Sequence, residues 1–71
     1  MERLYDRVSA RLQEMGISWS ELEDLVEKKT GIFVGNGFIK KRIKNGRRIS
    51  QVKFRAMAEI VGEEIVWQKD F

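Results

Sequence analysis

Apolar residues recur at helical spacing along most of the chain. Leu4, Val8 and Leu12 fall every four residues, with Tyr5 and Met15 widening the same face, while Arg3, Asp6, Arg7, Arg11 and Gln13 fall mainly elsewhere on the wheel. This spacing predicts a first helix over about 2–15, closed by Gly16, a residue that enters the left-handed region without a Cβ penalty. A second helix is expected over 18–30. Ser18 stands three residues before Glu21, as in a capping box, and Ser20 before Glu23 forms a rival pair. Glu21, Glu23 and Asp24 crowd its first turn, and Lys28 and Lys29 its last, each where the helix dipole favours that sign of charge. Leu22, Leu25 and Val26 form its expected inward face, and Gly31 its stop.

The pattern loosens over residues 31–37, Gly-Ile-Phe-Val-Gly-Asn-Gly, where three glycines oppose a long helix. Ile32, Phe33 and Val34 fit either a short extended piece or a loop anchor. Asn36 is a fitting N-cap for a third helix over about 36–45, ending at Gly46. Ile39 and Ile43 are its buried pair. With those two inward, Gly37, Lys41, Lys44 and Asn45 point outward, Lys40 lies on one shoulder, and Arg42 and Phe38 on the other. Ser50 caps an expected fourth helix over 50–61, whose stripe is Phe54, Met57, Ala58 and Val61 and whose stop is Gly62. A short fifth helix is expected over 63–68, carrying Ile65, Val66 and Trp67. The reading is a single all-α domain of five helices over residues 1–71.

Composition narrows the means of stabilisation. A chain of 71 residues buries only about 60% of the surface its unfolded form exposes, so its margin is thin. Neither cysteine nor histidine occurs, which removes disulfides and the usual zinc sites and leaves an apolar core, with self-association as further support. A content of 42% hydrophobic and 35% charged residues fits a folded, charge-coated domain rather than a disordered one. Nothing resembles a signal peptide or a bilayer-spanning run, so a cytoplasmic protein without a membrane partner is expected.

Charge changes the picture more. The net charge is +3, but it is unevenly spread. Residues 1–27 hold three basic and seven acidic side chains, and residues 59–71 one basic and four acidic. Between them, residues 28–58 hold ten basic side chains and no acidic one. A positive centre between acidic flanks attracts a polyanion while opposing indiscriminate adhesion, which points to nucleic acid.

The order of these signals resembles the Cro-like, lambda-repressor-like helix-turn-helix family. Arg11 to Ser18 resembles that family's closing of its first helix, with the glycine-to-serine link into the second, and Ser20, Glu21 and Leu22 resemble the second helix's start. Ile43-Lys44-Asn45-Gly46 resembles the end of the recognition helix. From Ser50 to Gly62 the likeness runs position by position: Phe54 and Met57 stand at leucine sites, Ala58 at the small site and Gly62 at the terminal glycine. Gly62 to Trp67 resembles the family's ending. Three departures stand out: Trp19 where the family has a glutamine that often contacts DNA, Glu23 where a small residue is usual, and a longer turn before the third helix.

The resemblance implies a regulator that binds double-stranded DNA, with its third helix in the major groove. Carried onto this chain, the base-reading candidates are Asn36, Gly37, Lys40, Lys41 and Lys44. Lysine donates to guanine O6 and N7, asparagine reads adenine, and glycine admits close backbone approach. Lys28, Lys29, Arg47, Arg48 and Lys53 are candidates for phosphates, which supply affinity and register rather than sequence choice. Asn36 alternatively serves only as a cap, the lysines only as a solvated face, and Arg42 as the partner of an acid on the second helix. Phe38, with Ile32, Phe33 and Val34, either covers the core beneath the long loop or offers an apolar patch to a protein or a thymine methyl. Trp19 and Trp67 are core or interface, and Ile65, Val66, Trp67 and Phe71 suggest a homodimer formed through the C-terminal end.

Other functions are weaker fits. Without histidine or cysteine, and with acids placed as helix-end and surface charges, no catalytic constellation, metal site, cofactor or small-molecule substrate is expected. Gly35-Asn36-Gly37 lacks the lysine-serine continuation of a phosphate-binding loop. The main alternative is an antirepressor or co-regulator that uses the same fold to bind a partner repressor, favoured by Trp19, Glu23 and the apolar loop. Coating of RNA or nucleoid without sequence choice is a third reading; the lack of an aromatic stacking platform among the basic residues counts against single-strand binding.

Overall fold

The protein's structure, a computed structural model, describes residues 3–62. Among these the fold is all-α, with four helices and no strand: α1 (Leu4–Met15), α2 (Trp19–Thr30), α3 (Phe38–Lys44) and α4 (Gln51–Val61). The fifth expected helix, with Trp67 and Phe71, lies outside the described residues. None of the four is long and apolar enough to cross a membrane.

Local chemistry sets most of the boundaries. The Ser18 hydroxyl accepts from the Glu21 N–H at 3.1 Å, while the Glu21 carboxylate accepts from the Ser18 N–H at 3.3 Å, a reciprocal capping box that decides against the Ser20–Glu23 pair. Ser50 accepts from the Lys53 N–H at the start of α4. Gly16, Gly31 and Gly62 end α1, α2 and α4 in left-handed conformations. Replacing Ser18 with alanine is expected to remove about 1 kcal/mol of stability. In a domain this small that lowers the thermal midpoint by roughly 6 °C, measurable by circular dichroism. An unchanged midpoint would mean that the cap carries no net energy.

All four helices feed one core. Val8 and Leu12 of α1, Leu22 and Val26 of α2, Ile39 and Ile43 of α3, and Phe54, Met57, Ala58 and Val61 of α4 are buried together. Val34 and Ile49 join them from the two loops that flank α3. The inward arc of α2 is rotated from the expected one. Leu25 is 38% exposed, and Glu23 takes a buried place beside Leu22 and Val26. Of the four apolar residues around the long loop, Val34 alone is buried; Ile32, Phe33 and Phe38 are exposed.

The helices are unequally joined. α2 packs most extensively on α4, whereas α3 rests on α1 and α2 and barely touches α4. Two arginines of the α1 side tie carbonyl ends to it: Arg11 Nε donates to the Val61 carbonyl at 2.7 Å, and Arg3 donates to the Lys44 carbonyl. Positive charge is favourable at both places, because unpaired carbonyls end a helix there.

Candidate nucleic-acid interface

α3 has seven residues, too few to hold helical form alone. Its conformation must be supplied from outside, and the structure shows how. Asn36 is not its N-cap, and the helix does not begin at 36. The cap position belongs to Gly37, which takes a left-handed backbone (φ 78°) and offers no side-chain acceptor. The acceptor comes from α2. One Glu23 oxygen accepts from the Gly37 N–H at 2.8 Å; the other accepts from the Ile39 and Lys40 N–H groups at 2.9 and 3.2 Å. Glu23 is 3% exposed. One helical turn on, Glu27 accepts from the Val34 N–H at 3.0 Å. Two carboxylates at i, i+4 on α2 thus fasten the glycine-rich loop and the start of α3.

Glu23 was expected to be a first-turn surface charge of α2; it is a buried cap for a different helix. The signal for it lies in the loop. Its one capping residue, Asn36, stands ahead of Gly37, and with Gly37 at the cap position the first N–H groups of the helix need an acceptor from elsewhere. This carboxylate also occupies the one end of α3 that would attract an anion. An anion approaching α3 would therefore have to be met by side chains.

With Glu23 at one end and Arg3 at the other, α3 is held by charges complementary to its dipole. Its middle is left free to project basic groups. Ile39 and Ile43 face the core, and Lys40, Lys41 and Lys44 are exposed. Asn36 is exposed in the turn before the helix, and Gly37 is half-buried there, its N–H committed to Glu23. Arg47 and Arg48 follow the helix in an exposed segment that folds back on it: the Arg47 N–H donates to the Arg42 carbonyl at 2.7 Å.

Arg42 does not pair with an acid of α2. Its Nε donates to the Arg48 carbonyl at 2.7 Å, and its guanidinium lies 5.3 Å from the centre of the Phe38 ring. The sharp turn through Gly46 brings that carbonyl back within reach, a contact that helical spacing does not forecast. Lys53 reaches the same ring from α4, with Nζ 4.9 Å from its centre.

The remaining candidates separate. Lys28 is exposed at the end of α2, whereas Lys29 forms an ion pair with Glu59 of α4 at 3.1 Å. Trp19 is part of the scaffold. Its ring stacks on Tyr5 with centroids 5.3 Å apart and planes 5° from parallel, and its Nε1 donates to the Ser9 hydroxyl at 3.3 Å. Phe33 is 78% exposed and stands out at the loop. Neither a protein-family model, nor a curated protein, nor a solved structure matches the chain.

Proposed function

We propose that this chain is a sequence-specific double-stranded DNA-binding transcriptional regulator, a Cro-like repressor of lambda-repressor-like helix-turn-helix fold, with α3 entering the major groove. One observation carries the reading: a helix too short to stand alone is fixed at both ends by Glu23 and Arg3, while Lys40, Lys41 and Lys44 between those ends face solvent. Exposed donors carried on a fixed backbone suit base edges, since little backbone freedom is lost on binding. Lys41 and Lys44 are the central readers. Asn36 serves the approach to the groove, and Arg47, Arg48 and Lys28 serve the phosphates.

Salt tests this reading. With about five phosphate contacts, the logarithm of the binding constant for a short duplex should fall against the logarithm of salt concentration with a slope near −4 to −5. A flat dependence, or no duplex binding at low salt, would overturn it.

A second reading is an antirepressor that binds a partner repressor. Trp19 and Glu23 no longer favour it, because both are spent inside the fold. What favours it is Phe33, an exposed aromatic beside exposed Ile32. A stable complex with a repressor that is lost on Phe33→Ala, with duplex binding absent, would support it over the first.

A further inference from the structure

We propose that Phe38, Arg42 and Lys53 form a clamp for a single backbone phosphate of duplex DNA, astride the seam between α3 and α4. The inference rests on the DNA-binding reading and adds to it a site, a ligand group and a geometry.

The seam itself is the first ground. α3 and α4 barely pack together, yet Lys53 of α4 reaches across to the ring of Phe38 at the head of α3. Arg42 approaches the same ring from one turn further along α3. Both distances are within the range of attraction between a cation and an aromatic face. Together, 5.3 and 4.9 Å, they bound the separation of the two charges at about 10 Å.

Two like charges drawn to one ring repel each other across at most about 10 Å, and among the described residues neither forms an ion pair with a carboxylate. An anion between them relieves that repulsion. Arg42 is also prepared for one: with Nε bonded to the Arg48 carbonyl, its guanidinium plane is held and its Nη groups remain as further donors. A guanidinium of this kind offers a directed pair of donors, and a lysine beside it adds a mobile point charge. The chemistry that fits is a phosphodiester oxygen pair. Glu23 blocks the N-terminus of α3 to such a group, so the shoulder carrying Arg42 is where α3 can grip the backbone. Gripping there sets the register with which Lys41 and Lys44 meet the bases.

The test is salt-titrated duplex binding by the wild-type protein, Arg42→Gln, Lys53→Gln, the double variant and Phe38→Leu, with thermal unfolding of each as the folding control. If one phosphate is shared, either single charge variant still neutralises it and the salt slope changes little. The double variant lowers the slope by about one. The ratio of affinities for a preferred and a scrambled duplex should hold throughout, because a phosphate carries no sequence. Phe38→Leu, with both charges kept, should weaken binding about threefold through loss of the ring that positions them. Should that variant fail to fold, the charge variants alone carry the test. A double variant that lowers the slope by about two means separate phosphates and overturns the shared clamp; an unchanged slope overturns the site altogether. Absence of duplex binding by the wild-type protein would instead overturn the DNA reading, and the clamp with it.

Discussion

Replacing Glu23 with alanine is expected to cost the fold about 3 kcal/mol, since hydrogen bonds to a charged group are worth more than neutral ones and the orphaned donors near the core pay for desolvation. Three N–H groups, those of Gly37, Ile39 and Lys40, lose their acceptor at once. The carboxylate is 3% exposed, so water has little access to replace it. A domain of this size has roughly 5 kcal/mol of stability in total, and the thermal midpoint should fall by roughly 15 °C. Glu23→Gln is the informative companion. A glutamine has one oxygen where the carboxylate has two, and its NH2 group would face an N–H, so about half the loss is expected. Thermal unfolding followed by circular dichroism measures both. An alanine variant within about 3 °C of wild type would show that α3 does not depend on α2 for its start.

The second large effect is on recognition. Lys41→Ala combined with Lys44→Ala should leave the fold intact within about 0.5 kcal/mol, because both side chains are exposed and lie away from the core. Each base contact is worth about 1–3 kcal/mol of discrimination. Losing two should therefore reduce the preference for the chosen site by about 1,000-fold, leaving weak binding of any duplex through the phosphates. The ratio of specific to scrambled affinity is the proper readout, since removal of two positive charges weakens all binding alike. An unchanged ratio would move the reading surface off α3.

These two effects fall on opposite sides of what the chain discloses by itself. Lys41 and Lys44 are legible because Ile39 and Ile43 fix the inward direction of α3, and the outward residues follow from helical geometry. The same holds for the starts of α2 and α4 and the stops of α1, α2 and α4, which are written locally: Ser18 with Glu21, Ser50 ahead of Lys53, and a glycine after each helix. Glu23 is not legible in that way. Its three donors lie 14 to 17 residues away, so spacing within α2 groups it with the first-turn acids, although the helix begins at Trp19 and only Glu21 falls in its first turn. Leu25 was displaced from the core for the same reason. The polar cap for α3 takes part of the face that hydrophobicity alone would give to leucine. Asn36 shows the converse error, a residue with the right chemistry to cap a helix beside a glycine whose backbone turns the chain another way.

For Arg42 and Phe38 the placement was legible and the long-range contacts were not. Helix geometry put both on one shoulder of α3, and there they touch. What it did not supply was Lys53 arriving from α4, or the Arg48 carbonyl returning through the turn at Gly46. Contacts between elements decide which basic residues stay free, which, like Arg42, are held in place, and which, like Lys29 with Glu59, are already paired.

The most direct test of the DNA-binding proposal is selection from a pool of random duplexes using the wild-type protein alone, at low salt and without any partner. The proposal predicts enrichment of a short motif, with two-fold symmetry if the protein acts as a dimer, and loss of that enrichment in the Lys41→Ala/Lys44→Ala variant. A pool that remains random after repeated rounds with folded wild-type protein would contradict it.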